Sequence, residues 1–89
     1  MKYGAFGLVE VLGASNAVLV VDKMLKTAGV SFLTWNAKCG GHVTVFITGD
    51  VSAVKAAVDA APESGCEIIN KAVISNPSEE AIRIAESEM

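Results

Sequence analysis

Only three residues, Cys39-Gly40-Gly41, separate two β-rich runs, Val30 to Lys38 and His42 to Thr48. So short a connection leaves the runs little choice but to pair as an antiparallel hairpin. Two adjacent glycines supply the backbone freedom that such a turn needs. The rest of the chain arranges itself around this hairpin. Lys2 to Leu12, rich in Tyr, Phe, Leu and Val, reads as a strand, with Gly4 and Gly7 marking a bulge or close backbone packing. Glu67 to Ser75 reads as a fourth strand.

Helical spacing fills the gaps between strands. Ala17, Val21, Met24, Leu25 and Ala28 recur at helical intervals, and Gly29 stands where a left-handed cap belongs, so a helix is expected from Ala14 to Ala28. Its other face carries Asp22, Lys23 and Lys26 but also Val18 and Val20, an apolar arc wide enough for a subunit interface. Asp50 is the expected N-cap of a second helix with Val51, Val54, Val58 and Ala61 on one face, closed by Pro62 and Gly65. Asn76-Pro77-Ser78-Glu79 reads as N-cap, first-turn proline and capping-box glutamate. The short acidic helix that follows, to about Glu88, is expected to fray or to dock on a neighbour. Its Glu79, Glu80, Glu86 and Glu88 read as a solvated face.

The order β-α-β-β-α-β-α makes an α+β fold of the ferredoxin-like split βαβ type. A four-stranded antiparallel sheet carries two helices on one face, plus a short C-terminal helix. Residues 1–89 are expected to form one domain. Apolar residues make up 52% of the chain, above the usual ~45–50%. A small domain with that excess is expected to bury part of it against other subunits. The net charge of −3 and the lack of a basic patch argue against nucleic acid. No apolar run approaches the ~20 residues of a membrane span, and no signal segment is visible. Cys39 and Cys66 then read as reduced cytosolic thiols.

Enzyme signatures are absent, with no P-loop, G-x-S-x-G, H-E-x-x-H or C-x-x-C. His42, three residues from Cys39, offers the one arrangement that could support a Cys–His nucleophile, but no third group is visible to orient the imidazole. Glu10, Asp22, Asp50, Asp59 and Glu63 show no paired spacing and read as caps and solvated faces. No catalytic residue is therefore assigned. Cys66 reads as a buried structural thiol. Cys39, beside glycines on a turn, reads as an exposed one. A single chain offers only Cys39 there, whereas an iron–sulfur cluster is held by four cysteine thiolates. Metal binding at this loop therefore requires several copies to converge.

Leu8-Val9-Glu10 with Gly13, the helix end Met24-Leu25-Lys26-Thr27-Ala28, the hairpin loop, and above all Val43-Thr44-Val45 through Gly49-Asp50-Val51-Ser52-Ala53-Val54-Lys55-Ala56-Ala57-Val58-Asp59-Ala60 resemble the BMC-domain shell proteins of bacterial microcompartments. The resemblance covers about residues 5 to 77. It implies cyclic homohexamers that tile edge to edge with other shell proteins around encapsulated enzymes in the cytoplasm. It further implies a central pore lined by Lys38, Cys39, Gly40 and Gly41, and an outer edge carrying Lys26 and Asn76.

Two departures from the family pattern stand out. Cys39 replaces the first glycine of the usual pore loop, with Lys38 one position after the usual lysine. Asn76 stands where an edge arginine usually sits. Together these resemble a divergent shell protein of glycyl-radical propanediol microcompartments that is associated with an iron–sulfur cluster. That likeness implies a cluster, [4Fe-4S] in type, held at the pore through Cys39 with His42 as a possible secondary ligand. The alternatives are an ordinary metabolite pore without metal, or a ferredoxin-like small-molecule sensor.

Overall fold

The computed structural model describes residues 3–89, with the backbone alone at Cys39. Lys2, the expected start of the first strand, lies outside the described residues. Four strands, β1 (Ala5–Leu12), β2 (Ser31–Ala37), β3 (His42–Gly49) and β4 (Asn70–Ser75), form one antiparallel sheet in the order β2-β3-β1-β4. Helices α1 (Ala14–Thr27) and α2 (Val51–Ala60) make the two crossovers, and α3 (Glu79–Ser87) ends the chain. This is the expected split βαβ architecture. The Cα trace measures 32 × 28 × 16 Å, so the domain is a slab.

The pleat sorts side chains by parity. Ala5, Val9 and Val11 of β1 join Val43, Val45 and Ile47 of β3 on one face, under Ala17, Val20 and Met24 of α1 and Val54, Ala57 and Val58 of α2. Gly7 lies on this face for lack of room. A Cβ there would come within 2.8 Å of Ile47 and Val58 and 2.9 Å of Val54. Of the two expectations for this glycine, close packing holds, and β1 runs through it in unbroken register.

Three elements differ from their sequence-based expectation. In α1 the buried residues are Ala17, Val20 and Met24, while Val21 is half-buried and Leu25 is exposed. Val20, expected on the outer face, therefore belongs to the core, and Leu25 does not. β4 begins at Asn70, not Glu67, because its pairing with β1 ends at Glu10↔Asn70. The third difference lies at α3. Asn76 is a left-handed corner at φ 51° whose N–H donates to Gly4 O at 2.9 Å, and Pro77 is fully buried. The N-cap is Ser78, whose Oγ accepts from Ala81 N–H at 3.2 Å.

α3 has a docking place within its own chain. It packs on the second face of its own sheet, with Ala85 against Phe6 and Phe46 and with Tyr3, Leu8, Leu33 and Ile82 around them. Tyr3 Oη donates to Glu86 at 2.9 Å, Thr34 Oγ1 to Glu88 O at 3.1 Å, and Asn36 Nδ2 to the Glu88 carboxylate. Glu86 and Glu88, expected in solvent, are half-buried anchors.

Candidate functional site

The β2–β3 connection is one 3₁₀-type turn over Cys39–Gly41. Lys38 N–H donates to His42 O at 2.7 Å, and Gly41 N–H to Lys38 O at 3.2 Å, which closes the hairpin. Gly40 and Gly41 sit at φ 86° and 84°. There an L side chain costs roughly 1–2 kcal/mol, which accounts for the glycine pair. Gly13 N–H donates to Gly41 O at 2.7 Å, so the tip is tied to the β1–α1 corner as well as to its own strands. Lys38, Gly40 and Gly41 are exposed. The Cys39 side chain lies outside the described residues.

The two groups of expected site residues fall at opposite ends of the sheet. β1 and β3 pair from Ala5↔Gly49 at one end to Leu12↔His42 at the other. The Lys38–Gly41 tip follows the Leu12↔His42 end. Asn76 is bonded to Gly4, and a Cβ on Gly49 would meet Gly29 O and Val30, so the end of α1 and the end of β4 share the Ala5↔Gly49 end. Eight residues of strand separate the two ends, roughly 25 Å. Lys26 is exposed in the last turn of α1 and pairs with Asp22 at 3.0 Å.

Charge spacing along the chain does not reveal one contact that the fold creates. Glu10, expected in a solvated or capping role, lies diagonally across β1–β3 from His42, and its Oε2 stands 2.7 Å from His42 Nδ1. The absent third group beside the histidine is therefore present. Its signal is visible only once register is known, because the residues are 32 positions apart and share a sheet face by parity. Among the described residues no group of three His, Cys, Asp or Glu side chains could hold a metal ion. Cys66, expected to be buried, is half-buried in the loop before β4, its Sγ 3.2 Å from Ser64 Oγ and 3.6 Å from Asn16 O.

Beside the sheet, α1 and β2 leave an open apolar groove of about 620 Å³ lined by Val18, Leu25, Phe32, Trp35 and Met89. These five side chains are all exposed. No helix among the described residues is long and apolar enough to cross a membrane.

The family model of the BMC domain matches residues 5–77. The bacterial microcompartment shell protein PduA of Citrobacter freundii is 43% identical over 60 residues, 67% of this chain and 64% of its own length. The carboxysome shell protein CcmK1 of Synechocystis is 36% identical over 80 residues, 84% of this chain and 72% of its own. In three dimensions, a crystal structure of a microcompartment protein from Desulfitobacterium hafniense superposes with a TM-score of 0.80 at 28% identity, over 96% of this chain and 48% of that one. The chain thus spans less than two thirds of PduA and about half of the Desulfitobacterium protein. These curated relatives are named as shell proteins, not enzymes. With its sheet order, its crossovers and its hairpin in place, the chain belongs to the BMC-domain family of microcompartment shell proteins.

Proposed function

We propose that this chain is a shell subunit that closes into a cyclic homohexamer, with the Lys38–Gly41 tip of each copy at the central pore. Rings would meet other shell proteins through the end that carries Lys26 and Asn76, around enzymes enclosed in the cytoplasm. The observation that carries this reading is the placement of the loop and of Lys26 with Asn76 at opposite ends of one sheet. One surface can then face an axis while the other faces outward. The exposed apolar groove between α1 and β2 supplies a flank for the ring contact.

The cofactor reading rests on the ring. One chain brings one loop thiol, Cys39, whereas a [4Fe-4S] cluster takes four thiolates. The donor set fits only where four or more copies converge, and the two glycines beside Cys39 add no side chains of their own at the tip. Lys38 adds positive charge, which favours thiolate. When bound, such a cluster supplies one-electron redox chemistry.

Anaerobic reconstitution with iron and sulfide tests this. The wild type is expected to turn brown with a broad visible charge-transfer band, and Cys39→Ser to stay colourless as an intact hexamer by sedimentation. A colourless wild-type ring would leave a plain metabolite pore. A monomer at micromolar concentration would remove the shell reading as well.

A further inference from the structure

Glu88, the residue after α3, ties that helix to β2, the strand that also lines the apolar groove. It accepts twice from β2. Its backbone O takes Thr34 Oγ1 at 3.1 Å, and its carboxylate takes Asn36 Nδ2. Thr34 and Asn36 are two residues apart and so share a sheet face. Trp35 between them is an exposed wall of the groove. Leu33 packs on the cluster under α3 and lines the groove as well. One residue beyond the clamp, Met89 joins Val18, Leu25 and Phe32 in the same lining. The apolar hold of α3 is small, since Ala85 is its one buried side chain. The place of Met89 in the groove therefore depends on the polar clamp at Glu88.

β2 and β4 are the two edges of the sheet. The β4 edge is bare, with five of its six residues exposed. Ile69 before it and Ile74 within it are exposed, and Ile84 of α3 lines the same crevice as Ile74. An apolar surface at each edge suits a head-to-tail contact between copies, the kind that closes into a ring when the rotation permits. Asp22 at the groove and Lys71 on β4 are exposed and opposite in charge. We propose that α3 is a strap on this contact. Clamped through Glu88, it sets Met89 in the groove that receives the β4 edge of the next copy, so release of the helix weakens the ring. This coupling rests on the ring reading and is independent of what the pore holds.

The test uses the full chain, with Trp35, its one tryptophan, as an internal probe of the groove. On dilution of the wild type, Trp35 emission should shift to the red over the concentrations at which sedimentation shows the rings parting. Glu88→Ala removes a hydrogen bond to a charged group, so hydrogen exchange over 79–87 should quicken about 10–100-fold while β1 and β3 keep their protection. The same variant should need about tenfold more protein to close its rings, by sedimentation and by Trp35 emission alike. Met89→Ala leaves the clamp whole. It should weaken the ring without quickening exchange in α3. A helix that stays docked in Glu88→Ala, or a ring as tight as the wild type's in either variant, overturns the strap and leaves the ring reading standing. A wild type that is a monomer at micromolar concentration overturns both.

Discussion

At Gly7 the sequence supplies the smallest possible side chain, and three others occupy the space that any larger one would take. A methyl there would stand 2.8–2.9 Å from Ile47, Val58 and Val54, which belong to a strand and a helix packed from different directions. All three side chains are buried, so making room means repacking the core. Gly7→Ala is therefore expected to destabilise the domain by about 1–3 kcal/mol, as overpacked cores do. Urea denaturation followed by circular dichroism should show a lowered midpoint with an unchanged slope. The close approach at Gly7 was legible in advance, because glycine inside a strand pattern marks such places. The Glu10–His42 contact was not. It is a product of register, and register follows from the whole sheet, not from either residue's neighbours.

Elements were legible in kind and order, less so in their faces and ends. α1 has Val18, Leu19, Val20 and Val21 in succession, so its apolar arc covers more than half the cylinder. Periodicity then offers two rotations of the helix about its axis, and the sheet selects the one that buries Val20 with Ala17 and Met24. At α3, Asn76 and Ser78 are both good caps, and the proline between them favours the first as cap. The choice goes to Ser78 because the chain must first turn off β4, and Asn tolerates the left-handed corner at φ 51°. Ser78→Ala is expected to cost about 1 kcal/mol, the usual loss for a removed N-cap. The effect should be local. Hydrogen exchange over 79–87 should quicken several-fold while β1 and β3 keep their protection. Equal quickening in both would mean that α3 and the sheet open as one unit.

For the whole molecule, the exposed groove between α1 and β2 and the exposed end of α1 make separable claims. Leu25→Asp places a charge on an apolar groove wall without touching the core, since Leu25 is 39% exposed. It is expected to convert rings to monomers in sedimentation velocity while the circular dichroism spectrum stays unchanged. Lys26→Glu puts like charges at Asp22 and position 26, a cost of only about 0.2–0.5 kcal/mol within the helix. It should spare the ring yet reduce extended sheets seen by electron microscopy. Dissolution of the ring by this substitution would place Lys26 between subunits instead of on the outer edge.

The slab's short dimension, 16 Å across the Cα trace, bears on what a wall of such rings could do. A barrier one domain thick offers a passing solute a path only a few molecular diameters long. Over that distance diffusion takes little time, so length contributes almost nothing to selectivity. Discrimination then falls to the narrowest cross-section alone. If the proposed ring sets the hairpin tip at that cross-section, a change of one residue there should alter permeability far more than any change of thickness elsewhere in the wall.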